Sequence, residues 1–232
     1  MLKRKKTAPT NNKMRHLITK LNPRSPISEQ YRTIRTNLQF ASIDEPLRSI
    51  LITSPGPAQG KSITSANLGV VYAQQEKKTL LIDADMRKPT THYTFRLDNL
   101  RGLSNVLVGD TSLEHAVEKT DVDNLDVLSS GPIPPNPAEL LASKRMEEVL
   151  RHALQLYDFV IFDTPPVLAV TDAKILANIV DGTLLVFRSG VTKIDEAEKT
   201  YEILKDSRAK MLGAVLNDRK KTDSSYYYYY GT

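Results

Sequence analysis

The residues best suited to chemistry in this chain are a Gly-Lys-Ser sequence at positions 60–62 and the segment that leads into it. Residues 54–62 read SPGPAQGKS and lie between an apolar run, RSILIT, and a segment with helical spacing. Such a loop can hold phosphate, because backbone N–H groups and a helix N-terminus face the anion. The usual first glycine is displaced by one position, to Gly56. The pattern predicts a phosphate-binding loop in which Lys61 reaches the β and γ oxygens and the Ser62 hydroxyl binds Mg²⁺.

Aspartates follow two further apolar runs. Residues 80–87 read LLIDADMR, with Asp83 and Asp85 two positions apart, and residues 160–166 read VIFDTPP, with Asp163 at the end of the run. In a parallel sheet, ligands bind where the carboxyl ends of the strands meet. Any one of these aspartates alone is more simply explained as a turn or helix cap. Together with a Gly-Lys-Ser loop, they predict a site for Mg²⁺ and a nucleotide phosphate.

The sequence favours ATP over GTP. The Asp-x-x-Gly of GTP-binding proteins would begin at Asp163, but Pro166 stands where the glycine belongs. No Asn-Lys-x-Asp sequence follows a later strand, and the nearest match is the Leu-Asn-Asp of residues 216–218. Asn217 is therefore a candidate contact for adenine.

Apolar strand patterns alternate with helical patterns along most of the chain. Continuous apolar strands separated by helices predict an α/β fold with a mostly parallel central sheet and helices on both faces. Ser28 is predicted to cap the first long helix. The proline-rich segment 131–137, GPIPPNP, is predicted to be an extended, stiff loop. The strands are predicted at 48–53, 79–83, 125–128, 159–162, 183–187 and 211–216, and the helices at 28–40, 61–75, 143–157, 172–180 and 193–207.

Composition limits the class of protein. The chain has 232 residues and no cysteine, which excludes disulfides and thiolate metal sites, and its four histidines are scattered. No apolar run approaches the roughly 18 residues of a membrane span, and the N-terminus lacks a signal-peptide core. We expect a cytoplasmic protein with one large domain.

The positive charge is confined to the N-terminus. Residues 1–28 carry eight basic and no acidic side chains, whereas the remaining 24 basic and 27 acidic residues leave that part at −3. A basic arm of this kind can lie on anionic lipid, touch nucleic acid or remain a solvated tail. Because the domain itself is not basic, we do not expect a nucleic-acid partner.

Half of the ten tyrosines form one run close to the C-terminus. A strand requires alternation and a helix requires a stripe, and an unbroken aromatic run provides neither. The run is either a sticky terminal segment or a substrate. Its members are Tyr226, Tyr227, Tyr228, Tyr229 and Tyr230.

Taken in order, these motifs resemble the bacterial tyrosine kinase (BY-kinase) family, in particular the separate cytoplasmic catalytic proteins of capsule and exopolysaccharide systems in Firmicutes. The resemblance covers nearly all of the chain after about residue 25. It also includes a Glu-x-x-Arg-x-x-Arg helix and the stretch GPIPPNPAELL at 131–141. The residues that match the family's motifs are the loop 54–62; Asp83, Asp85 and Arg87; Asp163 and Pro166; Glu29, Arg32 and Arg35; and the tyrosine run.

The resemblance implies a P-loop NTPase fold of the MinD/ParA type, with ATP and Mg²⁺ as cofactors. Lys61, Asp85 and Asp83 would be catalytic, with Asp83 accepting the phenol proton, while Ser62, Asp85 and Asp163 would hold Mg²⁺. The tyrosine run would be phosphorylated in trans within a ring-shaped homo-oligomer. The helix carrying Glu29, Arg32 and Arg35 would form the subunit interface; without the resemblance, the Glu29–Arg32 pair would be an ordinary surface ion pair.

The resemblance also implies a membrane-bound activator that recruits the protein to the inner face of the membrane, a role in polysaccharide synthesis and export, and other protein tyrosine substrates. The domains would be a basic, flexible arm and linker (1–27), the kinase domain (28–217) and a flexible tyrosine tail (218–232).

The phosphate loop departs from the family's Pro-Gly-x-Gly-Lys-Ser-Thr. Ala58 replaces a glycine at a position where φ is expected to be positive, which costs about 1 kcal/mol or more. Ile63 replaces a hydroxyl residue. The nucleotide is still assigned to this loop, whose residues are Gly56, Pro57, Ala58, Gln59, Gly60, Lys61, Ser62 and Ile63.

Two other functions remain open at this point. A MinD/ParA-like regulatory ATPase would share the fold and transfer phosphate only to water, but it usually carries a lysine near the start of its loop, and residues 54–59 contain none. A non-catalytic adaptor would bind nucleotide poorly and use the tyrosine tail for docking.

Overall fold

A computed structural model of the chain describes residues 17–41 and 46–220. The N-terminal residues 1–16 and the C-terminal residues 221–232, including the tyrosine run, lie outside the described residues. The strands are β1 (Ser49–Thr53), β2 (Thr79–Asp83), β3 (Glu118–Lys119), β4 (Leu125–Leu128), β5 (Phe159–Asp163), β6 (Gly182–Arg188) and β7 (Lys210–Asn217). The helices are α1 (Ile18–Leu21), α2 (Pro26–Phe40), α3 (Lys61–Ala73), α4 (Thr91–Phe95), α5 (Leu103–Val108), α6 (Leu113–Ala116), α7 (Pro137–Leu141), α8 (Lys144–Leu156), α9 (Asp172–Leu176) and α10 (Ile194–Leu204).

The strands form one seven-stranded sheet in the order β3-β4-β2-β5-β1-β6-β7. All neighbouring pairs are parallel except β3 with β4. The predicted α/β fold with a mostly parallel sheet is therefore confirmed. Since β5 lies between β1 and β2, the chain crosses over it through α3, and the carboxyl ends of these three strands meet at one edge.

Both faces of the sheet are buried, which explains why the strands read as continuous apolar runs. Along β1, Ile50 and Ile52 pack into the cluster that contains the apolar side chains of α3, and Leu51 between them packs into the cluster on the other face with α8 and α9. All five residues of β1, β2 and β5 are buried. The strands are therefore rigid supports for whatever follows their carboxyl ends.

The folded part begins earlier than the predicted boundary at residue 28. Leu17 and Thr19 are buried, and the backbone N–H and hydroxyl of Thr19 both donate to Asn67 Oδ1 on α3, at 3.0 and 2.8 Å. Residues 17–27, assigned from sequence to a flexible arm, instead form α1 and the turn into α2. These residues were assigned to the arm because the whole stretch is basic and has no acidic residue. The packing contacts are instead made by apolar and hydroxyl groups, which the charge pattern does not reveal.

The N-cap of α2 also differs from the prediction. Ser25, not Ser28, is the cap, and its hydroxyl accepts the Ser28 N–H at 3.1 Å. Pro26 then occupies the first helical position, where its missing N–H has no cost. The Ser28 hydroxyl is turned inward to the carbonyl oxygen of Asn22, 2.8 Å away.

Several helices are shorter than their sequence patterns indicate. The pattern at 172–180 predicts a helix, but α9 ends at Leu176 because the chain tightens into three-residue turns, with Asn178 and Ile179 donating to Ile175 and Leu176. The short helices α4 to α7 and the two-residue β3 were not predicted, since segments of this length have little periodicity.

Within the part of the chain that the structure describes, no helix has both the length and the apolar character needed to cross a membrane. The longest of the described helices, α2, has 15 residues and is amphipathic.

The loop between β1 and α3 holds two residues with left-handed backbone conformations. Gly60 has φ of +95°, and a Cβ atom there would lie 1.9 Å from Asn217 Nδ2, so only glycine fits. Ala58 has φ of +58°, so the positive φ expected from the sequence is confirmed. A non-glycine residue in this region costs roughly 1–2 kcal/mol.

Replacing Ala58 with glycine should relieve this strain. We expect A58G to raise the free energy of unfolding by about 1 kcal/mol, measured by chemical denaturation. The matched control is A197G inside α10, where the same replacement should lower the free energy of unfolding by roughly 0.5–1 kcal/mol. A loss of stability in both variants would contradict the assignment of strain to Ala58.

Candidate active site

The phosphate loop runs from the end of β1 to the first residue of α3 and is held by its own contacts. Ser54 Oγ donates to the carbonyl oxygen of Gly56 at 2.8 Å. Gly60 is the N-cap of α3, and its carbonyl accepts the Thr64 N–H at 2.9 Å. Lys61 is consequently the first residue of the helix, where free backbone N–H groups and the helix dipole favour an anion.

The remaining loop residues divide into an exposed and a buried group. Pro57 and Ala58 are exposed, whereas the Gln59 side chain is buried and its Nε2 lies 3.4 Å from where a Cβ on Gly56 would stand. Ser62 and Ile63, in the first turn of α3, are half-buried. The loop thus presents backbone, a hydroxyl and one lysine, as a phosphate cradle requires.

The last residues of β6 and β7 hold the loop from the other side. Asn217 Nδ2 donates to the carbonyl oxygen of Gln59 at 3.1 Å. Arg188 Nη1 lies 3.4 Å from the carbonyl oxygen of Ala58, and the same guanidinium binds Asp218 Oδ2 at 2.7 and 3.0 Å. From the sequence, Asn217 was predicted only as an adenine contact, and no motif marks Arg188. In this structure Asn217 holds the loop, and an adenine contact remains a prediction.

Lys61 lies between Asp163, the last residue of β5, and Asp85, which follows the end of β2 by two residues. Its Nζ is 3.0 Å from Asp85 Oδ2 and 3.7 Å from Asp163 Oδ1, and it also lies 3.3 Å from Ser62 Oγ. Asp83 and Asp163 stand opposite each other at the ends of β2 and β5. The structure therefore brings together all the charged residues predicted for the site.

Burial sets the electrostatics of this cluster. Burial by itself lowers the pKa of Lys61, but the charges of Asp163 and Asp85 outweigh it and raise that pKa above its ordinary value. Burial and the charge of Asp163 raise the pKa of Asp83 to about 7, although hydrogen bonds from Thr91 and Thr90 oppose the rise. One ammonium thus compensates several buried carboxylates incompletely.

Asp83 is fully buried and also organises the backbone around it. Its Oδ2 accepts the N–H groups of Thr90 and Thr91, each at 2.9 Å, and its Oδ1 accepts the N–H of Asp85 at 3.2 Å. These bonds fix the turn that carries Asp85 and the start of α4. Asp83 is therefore a structural anchor in this conformation, and the role of proton acceptor remains a prediction.

The donor set fits Mg²⁺. In residues 17–41 and 46–220, no three acidic or histidine side chains are grouped closely enough to hold an ion by themselves. Mg²⁺ commonly takes one or two carboxylates and completes its shell with water and substrate phosphates. Asp85, Asp163 and the Ser62 hydroxyl offer oxygen ligands only, and the two carboxylates already attract a cation, the Lys61 ammonium.

A second ion pair, between the exposed Arg87 and the buried Asp172, joins the two aspartate segments. Arg87 binds Asp172 with two parallel bonds, Nε to Oδ2 at 2.9 Å and Nη2 to Oδ1 at 3.0 Å. Asp172 is fully buried at the start of α9. This pair ties the loop after β2 to the loop after β5. The family motif marks Arg87, but nothing in the sequence marks Asp172 as its partner.

The Glu29, Arg32 and Arg35 side chains of α2 lie apart from the strand ends. Arg32 forms an ion pair with Glu29 and donates to the carbonyl oxygen of Pro23 at 2.8 Å. Arg35 instead faces its own subunit: Nη1 donates to the carbonyl oxygen of Val71 at 2.8 Å, in the last turn of α3. Burial lowers the pKa of Arg35. Arg35 thus supplies a hydrogen bond to a helix-end carbonyl, the kind of group that commonly lacks a partner.

Known proteins agree with this geometry. A family model described as an AAA domain matches residues 47–188. Tyrosine-protein kinase YwqD of Bacillus subtilis (strain 168) is 55% identical over 218 residues, which cover 94% of this chain and 92% of that protein.

Solved structures agree as well. The kinase domain of Escherichia coli tyrosine kinase ETK superposes with a TM-score of 0.86 at 35% identity, over 97% of this chain and 85% of that one. The cell division ATPase MinD of Pyrococcus furiosus is similar at a TM-score of 0.65 and 28% identity, over 76% and 74%. With its MinD-like P-loop fold and its identity to YwqD, the chain belongs to the bacterial tyrosine kinase family.

Proposed function

We propose that this chain transfers the γ-phosphoryl group of ATP to tyrosines, among them the five in the C-terminal run of another copy. The observation that carries the proposal is the position of Lys61, 3.0 Å from Asp85 and 3.7 Å from Asp163, at the start of the loop helix. Phosphoryl transfer depends on positioning and charge compensation, and this cluster supplies both. The similarity to proteins named tyrosine kinases supports it.

Lys61 would exchange partners when nucleotide binds. Its ammonium would leave Asp85 for the β and γ oxygens, while the backbone of residues 56–60 and the N-terminus of α3 face the phosphates. Asp85 and Asp163, together with Ser62, would then hold Mg²⁺, which when bound neutralises charge on the phosphate oxygens. The Arg87–Asp172 pair keeps the two carboxylates in register.

Asp83 is our candidate for the proton acceptor. The phenol oxygen forms a bond to the γ phosphorus, the bond from that phosphorus to the β–γ bridging oxygen breaks, and the phenol proton passes to the carboxylate. Oδ1 of Asp83 accepts one longer hydrogen bond, at 3.2 Å, and is the oxygen that we assign to this step. Since the reaction needs little base strength, a buried carboxylate suffices.

We further propose that a membrane-bound activator recruits the chain to the inner face of the membrane, where it regulates capsular or extracellular polysaccharide synthesis and export. The support is the family and the eight basic residues among residues 1–28. Other protein tyrosines are further substrates, and α2 is the candidate interface of a ring.

The alternative function is that of a MinD-like regulatory ATPase, because the fold is shared. The absence of lysine from residues 54–59 and the presence of the tyrosine run favour the kinase. Incubation with ATP and Mg²⁺ followed by mass spectrometry separates the two. Phosphate on tyrosines identifies a kinase, ADP without it identifies an ATPase, and neither product identifies an adaptor.

Replacing Lys61 with methionine should abolish phosphorylation of the tyrosine run. The loss should be at least about 100-fold, since the side chain provides the positive charge that the transferring group requires. Tyrosine phosphate is followed by mass spectrometry. The control is K193M, at the exposed N-cap of α10, which should retain activity. Full phosphorylation of K61M would contradict the site.

Arg32 and Arg35 should behave differently despite their shared motif. R35A leaves the Val71 carbonyl without its charged donor and should lower the free energy of unfolding by about 1.5–3 kcal/mol. R32A loses only exposed contacts and should cost less than about 1 kcal/mol, while reducing the oligomer mass if α2 forms the ring. Chemical denaturation measures the free energy of unfolding, and light scattering measures the oligomer mass. Equal losses of stability in R35A and R32A would contradict the structural role assigned to Arg35.

Phosphorylation should loosen the ring. Residues 218–232 carry a charge of +1 before modification, and five phosphotyrosines would bring them to about −6.5 to −9. Acidic side chains at the site would repel such a tail. Size-exclusion chromatography with light scattering, before and after ATP–Mg²⁺, should show a lower mass, and an unchanged mass after full phosphorylation would refute this mechanism.

A further inference from the structure

The proline-rich segment after β4 has no part in the proposed chemistry, although it lies beside the site. Leu128, the last residue of β4, pairs with Ile82 of β2. The segment that follows therefore leaves the sheet one strand away from Asp83. It emerges at the same edge as the phosphate loop.

The backbone of this segment is anchored at its base. Asn99 makes a pair of bonds with Gly131, its Nδ2 donating to the carbonyl oxygen and its Oδ1 accepting the N–H, both at 2.9 Å. Ser104 Oγ donates to the carbonyl oxygen of Pro132 at 2.8 Å. Gly131 has φ of +75°, and a Cβ there would lie 2.6 Å from Ser104 Oγ. The base of the segment is thus held in one conformation.

Beyond the anchor, the surface is apolar and exposed. Ile133 is 64% exposed, and Leu100, next to the anchoring Asn99, is 79% exposed. Pro132 and Pro135 are also exposed. Prolines have fixed φ and no N–H group, so they form a stiff surface without donors. We call Leu100 and residues 132–135 the proline platform.

We propose that the proline platform is a docking surface for the tyrosine-rich C-terminal segment of a second copy of this chain. The inference rests on the proposed function and specifies how the substrate is held. Stiff proline segments and aromatic rings recognise each other in several peptide-binding modules. A platform one strand from Asp83 would present a tyrosine of the run to the site.

The position of β7 argues for a second copy rather than the same chain. The C-terminal segment continues from β7, which is five strand spacings from β4 in the sheet order, or about 24 Å. The nine residues 218–226 span at most about 30 Å when extended. To bring Tyr226 to its own platform, the segment would have to run almost straight past the ends of β6, β1, β5 and β2, across the proposed nucleotide site. The later tyrosines are preceded by more chain but would have to take the same path. A segment from another copy meets no such obstacle.

In the test, one variant of the chain serves only as the enzyme and another serves only as the substrate. The enzyme is the full chain with all five tail tyrosines replaced by serine, and the substrate is the full chain carrying K61M. We expect I133D in the enzyme to lower kcat/KM for the substrate chain by about tenfold or more, through a higher KM, with ATP affinity unchanged. The matched control is I194D. Ile194 is 79% exposed at the start of α10, which connects β6 to β7, and these two strands lie at the end of the sheet away from β4.

Binding of a synthetic peptide of residues 218–232 to the same enzymes is measured by fluorescence anisotropy. It should weaken about tenfold in I133D and stay unchanged in I194D. Equal peptide binding by the parent and I133D overturns the platform. So does a loss that is accompanied by weaker ATP binding, or by a changed mass of the enzyme alone, since these would place Ile133 in the nucleotide site or in a contact between folded domains. Peptide binding that depends on Ile133 without any phosphate transfer would support the platform and refute the kinase function.

Discussion

The attraction between one buried ammonium and the carboxylates around it is the interaction on which this site depends. Asp83 and Asp163 are fully buried and Asp85 nearly so. Burying carboxylates without a counter-charge is costly. Lys61 supplies that charge to Asp85 and Asp163, while burial and the charge of Asp163 raise the pKa of Asp83 to about 7. A site built in this way favours a further cation.

Strand pairing and a small number of hydrogen bonds bring these charges together. Parallel strands place Asp83 opposite Asp163, and the helix after the loop places Lys61 between Asp163 and Asp85. Asp83 then fixes the turn after β2 through three backbone N–H groups, and Arg87 joins that turn to the buried Asp172. The carboxylates cannot separate to relieve their repulsion, so their excess negative charge remains available to a cofactor.

The sheet and the charged residues of the site were predictable, whereas the supporting contacts were not. Continuous apolar runs identify buried parallel strands, and motifs identify Lys61 and the aspartates. The packing of residues 17–27 was missed because Thr19 and Asn67 make a long-range pair that has no periodicity in sequence. The same applies to Arg188, which contacts the loop from 130 residues further along the sequence, and to the inward orientation of Arg35. Local patterns carry information about elements, not about which elements meet.

The proline platform and the aspartate cluster, both proposed to contact the tyrosine run, should interact differently with a tyrosine and with a phosphotyrosine. An unmodified phenol ring loses little by leaving water for an apolar surface. A phosphotyrosine carries about −1.5 to −2 charge, and desolvating it against proline and isoleucine, close to three buried aspartates, is unfavourable. The acidic cluster that attracts a cation for transfer thus repels the product, and the platform that holds the substrate gives the product no compensating donor. If the proposed docking surface is correct, substrate binding and product release would both follow from this one charge distribution.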